Sequence, residues 1–141
     1  GYTYSGHPVA CAAALKTLQI YERDNLFSHA ATMGDYLQTR LNTLADHPLV
    51  GEVRGRGLIA AVELVADKRS GASFDDGSVG AFAKQACQNL GLLIRAVSGN
   101  SIAFCPPLII DKAQIDEMLD KFKLALQDTL DHVQSLGLIK N

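Results

Sequence analysis

The fold class is decided by the stretch VRGRGLIAAVELV, residues 53–65. An Arg-Gly-Arg-Gly turn at residues 54–57 leads into the apolar run Leu58–Val65, an order typical of a strand entered through backbone that glycine permits. A dinucleotide-binding loop is excluded, because this turn is too short for that fingerprint and precedes a strand rather than a helix. The stretch therefore predicts one strand of a sheet.

Two more strands follow further along the chain. Leu92–Val97 and Ser101–Cys105 are apolar runs joined at residues 98–100, Ser-Gly-Asn, a sequence that favours a hairpin. Pro106 and Pro107 end this part of the sheet, because proline cannot donate to the hydrogen-bond ladder of a strand. The predicted sheet is therefore at least partly antiparallel.

Four helices are predicted around these strands. Pro8 begins the first, over the alanine-rich stretch Val9–Glu22, because proline suits the first turn of a helix. Asp111 begins the last as an N-cap with Gln114 as its capping-box partner, and Gly137 ends it. Apolar residues at spacings of three and four mark the other helical faces. They are Leu26, Ala30, Met33, Leu37, Leu41 and Leu44 in the second helix, Val79, Phe82, Ala83, Ala86 and Leu90 in the third, which Gly91 ends, and Ile115, Met118, Leu119, Phe122, Leu126, Leu130 and Val133 in the fourth.

This order of elements predicts an α+β fold, a small, mostly antiparallel sheet with helices on one face. The 141 residues suffice for one compact domain. The one plausible internal boundary lies near residues 22–26, where the alanine-rich helix ends. It divides the chain into residues 1–24 and residues 25–141.

The composition excludes several classes of function. The 13 basic and 15 acidic residues are interspersed and give a net charge of −2, which excludes a basic surface for nucleic acid and a polybasic membrane anchor. No apolar run approaches the ~20 residues that span a bilayer. The four histidines and three cysteines lack the spacing of a metal site or a disulfide framework. Reduced cysteines predict a cytoplasmic protein, and a start at Gly1 rather than methionine indicates part of a longer chain.

The candidate binding residues lie in GYTYSGHPVA, residues 1–10. Thr3 offers a hydroxyl, and its neighbours offer backbone N–H groups just before a helix. Unpaired donors and the helix dipole both favour an anion at such a place. A plain turn with Ser5 or His7 as capping residue is the alternative, and physical reasoning alone leaves both open.

The same stretch resembles a segment that class III, pyridoxal-phosphate-dependent aminotransferases carry downstream of their catalytic lysine. The string Thr-Tyr-Ser-Gly-His-Pro before an alanine-rich helix carries the resemblance. It implies that Thr3 binds the phosphate of pyridoxal 5'-phosphate in the neighbouring subunit of a homodimer, or of a higher homo-oligomer that shares its cofactor sites. It also implies that Tyr2 donates a backbone N–H to that phosphate.

Two further stretches carry the resemblance. Residues 46–64 are similar to the start of the family's small domain, where Arg54 and Arg56 are interpreted as structural, one of them pairing with a carboxylate at the sheet edge. Residues 91–110 are similar to the family's substrate-side hairpin, so the resemblance implies that Arg95 binds the carboxylate of the keto acid. The spacing from Arg95 to Pro106 is one residue longer than the family pattern, and such a shift reverses the face of a strand residue. An exposed strand arginine is therefore the alternative.

The resemblance implies the C-terminal part of a transaminase that moves an amino group from an amine or ω-amino acid to a keto acid such as pyruvate. Residues 1–24 then end the large cofactor domain with its connecting helix, and residues 25–141 form the small domain of a fold-type-I enzyme. The family's cofactor-binding lysine falls upstream of residue 1, and Lys16 and Lys84 lie on predicted helices, so the isolated chain is expected to be inactive. An aminomutase or racemase on the same scaffold, or a non-catalytic interaction module, remains an alternative.

Overall fold

The computed structural model describes residues 2–139. Gly1, which begins the quoted motif, and residues 140 and 141, the last two of the predicted small domain, lie outside the described residues. The described elements are, in chain order, α1 (Pro8–Arg23), α2 (Leu26–Asn42), β1 (Val50–Arg56), β2 (Ile59–Leu64), α3 (Ser78–Asn89), β3 (Arg95–Val97), β4 (Ser101–Phe104) and α4 (Lys112–Ser135). The strands form one antiparallel sheet in the order β1-β2-β4-β3. The predicted α+β class is confirmed.

One strand was not predicted, and another is shorter than predicted, since β3 covers Arg95–Val97 rather than residues 92–97. Residues 54–56, predicted to lie in a turn, belong instead to β1, which pairs with β2 as far as Arg56↔Ile59. The turn is confined to Gly57 and Leu58, and Gly57 has a φ of +57°. The prediction was wrong because β1 lies at the sheet edge and buries only Val50, so its glycines and charged residues show no apolar alternation.

The core lies between one face of the sheet and helices α2, α3 and α4. Five strand residues alternate toward it, namely Ala60, Val62 and Leu64 of β2 and Ile102 and Phe104 of β4. The ring of Phe104 meets the ring of Phe122 in α4 edge-on, with 5.0 Å between their centroids and 85° between their planes. These three helices therefore cover a single face, as predicted.

The sequence signals at the helix ends are confirmed. The Asp111 carboxylate accepts from the Gln114 backbone N–H at 2.8 Å, and the Gln114 side chain accepts from the Asp111 backbone N–H at 3.0 Å. Gly91 and Gly137 follow their helices with φ values of +77° and +66°, the left-handed conformation that ends many helices. No helix within residues 2–139 combines the length and apolar character that crossing a membrane requires.

Helix α1 stands apart from the rest of the described chain, because none of its residues is buried. The chain reverses after α1 at Asn25, whose φ is +49°. Across this turn the Tyr21 ring of α1 meets the Phe27 ring of α2 edge-on, with 5.5 Å between centroids. The buried core begins at Leu26, so α1 contributes length and surface but no core side chain.

Candidate functional site

Thr3 lies in the first of two successive tight turns before α1. The Ser5 N–H donates to the Tyr2 carbonyl at 3.1 Å, and the His7 N–H donates to the Tyr4 carbonyl at 3.2 Å. The Thr3 side chain is exposed, and its hydroxyl makes no hydrogen bond to another described residue. The Tyr2 N–H, in contrast, donates to the Ser5 hydroxyl at 3.3 Å. Of the two predicted phosphate donors, Thr3 is available and Tyr2 is already shared with Ser5.

The N-terminus of α1 has no side-chain cap. His7 occupies the N-cap position without a capping hydrogen bond, and Pro8 at the next position has no N–H to donate. The turn of the alternative interpretation is therefore present, but neither Ser5 nor His7 caps α1 within the described residues. The N–H groups of Val9 and Ala10 are free of the helix's own ladder, which begins with the Cys11 N–H on the His7 carbonyl at 3.0 Å. Such an end favours an anion.

Arg95 begins β3 and pairs with Ala103 of β4. The next residue, Ala96, pairs with Ile102, whose side chain is fully buried in the core. Because successive strand residues face opposite sides of a sheet, Arg95 lies on the side away from the helices. We call this side the open face; the register assigns to it Glu52, Arg54, Arg56, Ile59, Ala61, Glu63, Arg95, Val97, Ser101 and Ala103.

Four of these residues form a row across the sheet. From β1 to β3 they are Arg54, Ala61, Ala103 and Arg95, each paired with the next. The two alanines form a low floor between the two arginines. Two shallow depressions meet at Ala103, one of about 580 Å³ beside Arg54 and one of about 350 Å³ beside Arg95. The open face therefore leaves space for a small molecule next to Arg95.

Arg54 is fully engaged on this face. Its guanidinium donates to Glu52 at 2.8 Å, to Glu63 at 2.8 Å and to the Ser101 hydroxyl at 3.2 Å. The Ser101 hydroxyl also donates to Glu63. That hydroxyl, followed by the Arg54 guanidinium, holds the pKa of Glu63 below its usual range. The prediction that one arginine of this pair binds a carboxylate at the sheet edge is confirmed for Arg54.

Arg95 is electrostatically different from Arg54. Within the described chain, neither Arg95 nor Arg56 makes an ion pair. The open face carries three arginines and two glutamates, and the two glutamates both bind Arg54. The guanidinium of Arg95 therefore keeps its donors available, which a carboxylate ligand requires.

Glu63 and Ser101 were not predicted as site residues. Burial alternates along β2, so the sequence already indicates that Glu63 lies on the face of the sheet away from the core, to which its neighbour Val62 points. The partners of Glu63 could not be identified from the sequence, because Arg54 and Ser101 lie on two other strands. The predicted non-catalytic lysines, Lys16 and Lys84, are exposed on α1 and α3. Among residues 2–139 no group of three or more metal-binding side chains lies together.

Comparison with known proteins identifies the family. The model of the family described as "Aminotransferase class-III" matches residues 1–126. The chain belongs to the class III aminotransferases. This confirms the resemblance carried by residues 1–10, 46–64 and 91–110, and it implies a pyridoxal-phosphate-dependent transferase.

Individual class III relatives match over almost the whole chain. A putrescine–pyruvate aminotransferase of Pseudomonas aeruginosa is 45% identical over 130 residues, 92% of this chain and 28% of that protein. A chloroplastic gamma aminobutyrate transaminase 3 of Solanum lycopersicum is 38% identical over 137 residues, 96% of this chain and 26% of that protein. The crystal structure of the omega transaminase from Pseudomonas jessenii in complex with PMP matches with a TM-score of 0.88 and 46% identity, over 98% of this chain and 30% of that one. The chain thus spans less than a third of these relatives.

Proposed function

We propose that the complete enzyme transfers an amino group from an amine or ω-amino acid to a keto acid such as pyruvate. The observation that carries this proposal is the Arg95 guanidinium, which lies on the open face beside the alanine floor with no ion-pair partner in the described chain. A planar guanidinium binds a carboxylate through two parallel hydrogen bonds. The names of the similar putrescine–pyruvate and gamma aminobutyrate enzymes support the same donor and acceptor classes.

The N-terminal turn fits the phosphate of pyridoxal 5'-phosphate. In this proposal the Thr3 hydroxyl donates to the phosphate, and the uncapped α1 N-terminus adds positive potential. The Tyr2 N–H joins only if it leaves the Ser5 hydroxyl that it now contacts. When bound, the cofactor supplies the electron sink that lets a substrate carbon lose a proton. The role of Arg95 is to hold the keto-acid carboxylate during the second half-reaction, in which the keto-acid carbon gains a proton.

The exposure of α1 supports an assembled enzyme. We propose that residues 1–24 end the cofactor domain and that residues 25–141 form the small domain, because the buried core begins at Leu26. Thr3 then serves the cofactor site of a neighbouring subunit in a homodimer or higher homo-oligomer. All three cysteines are free thiols, which supports a reducing, cytoplasmic location.

Acceptor dependence tests the reaction type. The full-length enzyme is expected to consume an amine only when a keto acid is supplied, whereas an aminomutase or racemase turns over without one.

The isolated chain, mixed with pyridoxal phosphate, is expected to show no turnover and no stoichiometric covalent adduct after borohydride reduction, because Lys16 and Lys84 are exposed helix residues. Mass spectrometry and an amine-consumption assay measure both results. A stoichiometric adduct with turnover in the isolated chain contradicts the proposal.

Replacing Thr3 with alanine in the full-length enzyme is expected to weaken cofactor binding about ten- to a hundredfold. One hydrogen bond to a charged phosphate contributes about 1.5–3 kcal/mol. Equilibrium dialysis of the cofactor measures the change in Kd. Thr17→Ala is the matched control, because its hydroxyl is bonded within α1, to the Ala13 carbonyl at 2.9 Å. Equal cofactor affinity in the two variants means that Thr3 is only a residue of the turn and does not bind the phosphate.

A further inference from the structure

The turn between β3 and β4 is fixed by a residue that the site described above does not use. Asn100 ends this turn and is only 5% exposed. Its side-chain carbonyl accepts from the Gly80 backbone N–H at 2.7 Å, and its side-chain NH₂ donates to the Asp76 carbonyl at 2.7 Å. Its backbone carbonyl accepts from the Leu64 N–H at 3.0 Å. One buried side chain thus joins the hairpin to the start of α3.

Asn100 takes the place of a missing helix cap. Gly77 is the N-cap of α3 and has no side chain with which to cap it. Gly80 is the third residue of α3, the position whose N–H an N-cap side chain usually binds. Asn100 supplies that bond from 20 residues downstream. The amide orientation is fixed by its partners, because a backbone N–H only donates and a carbonyl only accepts.

Glycines bring the two segments into direct backbone contact. A Cβ added to Gly80 would lie 2.5 Å from the Gly99 carbonyl oxygen and 2.9 Å from the Asn100 Cα. A Cβ on Gly77 would lie 3.4 Å from the Gly99 Cα. The turn itself is held in left-handed backbone, with φ of +46° at Ser98 and +82° at Gly99. The hairpin turn therefore lies directly against the N-terminus of α3, with the two backbones in contact.

These contacts matter because β3 is short and lies at the sheet edge. β3 is only three residues long and lies at the edge of the sheet, so β4 is its single strand neighbour. Its first residue is Arg95, and the chain from α3 through β3 to the turn forms a loop that Asn100 closes. Besides this closure, β3 is held by three backbone pairs with β4 and by its packing against α3 and the core, which Ala96 contacts.

We propose that Asn100 is a positioning residue that sets the location of the Arg95 guanidinium by fixing the β3–β4 turn on the N-terminus of α3. This inference rests on the proposed carboxylate-binding role of Arg95. Asn100 contacts no substrate; it acts through the placement of β3. Small displacements of a binding group cost rate steeply, since a shift of about 1 Å is worth up to a hundredfold.

The test uses the full-length enzyme loaded with cofactor and measures the two half-reactions separately. Asn100→Ala is expected to raise the KM for the keto acid roughly ten- to a hundredfold. The KM for an amine that lacks a carboxylate is expected to change less than about twofold. Asn100→Ser leaves a side chain too short to bridge the Gly80 N–H and the Asp76 backbone carbonyl, so it is expected to raise the same KM for the keto acid. Asp111→Ala, which removes the cap of α4, is the matched control for lost stability and should leave the ratio of the half-reactions unchanged.

A second measurement follows the hydrogen bond between Asn100 and Gly80 directly. The Gly80 amide is expected to exchange slowly with solvent in the parent enzyme and faster in both Asn100→Ala and Asn100→Ser. If Asn100→Ala does not fold, both measurements are made on Asn100→Ser. Unchanged keto-acid kinetics together with faster Gly80 exchange overturns the positioning role.

A double-mutant cycle separates positioning from general loss of stability. In an Arg95→Ala background, Asn100→Ala is expected to cause no further loss with the keto acid, because the group that it positions is already gone. Additive losses in the double variant overturn the proposal. If Arg95→Ala itself spares the keto acid, both the proposed function of Arg95 and this inference fail. If Arg95→Ala damages that half-reaction and Asn100→Ala does not, only the inference fails.

Discussion

Replacing Arg95 with alanine is expected to slow the keto-acid half-reaction by roughly thirtyfold to a few thousandfold, while a simple amine without a carboxylate reacts almost as before. Truncating one member of a desolvated charge pair costs about 2–5 kcal/mol, and an uncharged substrate never forms that pair. The donors of Arg95 are free in the described chain, so no internal ion pair is lost in the variant. Single-turnover rates for each half-reaction measure the effect.

Two further variants sharpen this result. Arg95→Lys keeps the charge but loses the planar fork, so it is expected to recover only part of the rate. Arg56→Ala removes another unpaired arginine from the same face and is the matched control, expected to spare both half-reactions. Equal losses in Arg95→Ala and Arg56→Ala assign the effect to the charge of the open face as a whole. Equal damage to both half-reactions in Arg95→Ala removes the carboxylate role.

Replacing Phe122 with alanine is expected to lower the free energy of unfolding by about 3–5 kcal/mol. Phe122 is fully buried at the middle of α4 and meets Phe104 of β4 edge-on at 5.0 Å, so its ring joins the helix layer to the sheet. The variant leaves a cavity against Phe104, because a helix and a strand fixed by their own hydrogen bonds close around a void only in part. Urea unfolding followed by circular dichroism measures the change.

The control for this prediction lies two residues away on the same helix. Leu124 is 59% exposed, so Leu124→Ala is expected to change the unfolding free energy by less than about 0.5 kcal/mol. A comparable loss in the two variants means that α4 as an element, rather than the buried ring, determines stability.

Short-range signals account for the parts of the fold that the sequence predicted well. The capping box of Asp111 and Gln114 and the glycines at positions 91 and 137 act within one helical turn, so each is readable from its neighbours. Strand β1 was missed because its open-face residues are charged and its partner covers only one edge. An edge strand of this kind lacks the apolar alternation on which strand prediction depends.

The candidate site depended on information that no local pattern contains. The face of Arg95 follows from its pairing with Ala103, and a shift of one residue would have reversed it. The contacts of Arg54 join β1, β2 and β4 and require the strand order β1-β2-β4-β3. The hydrogen bond between Asn100 and Gly80 joins residues 20 positions apart. Residue types identified the chemistry of the candidates, whereas long-range pairing decided which of them face one another.

The edges of the sheet bear on how the chain behaves at high concentration. An open edge with free backbone groups is a template for strands of other molecules, and charge, irregular pairing and short length all discourage such growth. β1 carries Glu52, Arg54 and Arg56 along one edge, and its pairing is irregular between Val50 and Glu52. β3 offers only three residues at the other edge, beginning with Arg95. Both edges therefore resist intermolecular strand addition, so the cations and glycines that obscure β1 in the sequence also protect the folded chain from aggregation.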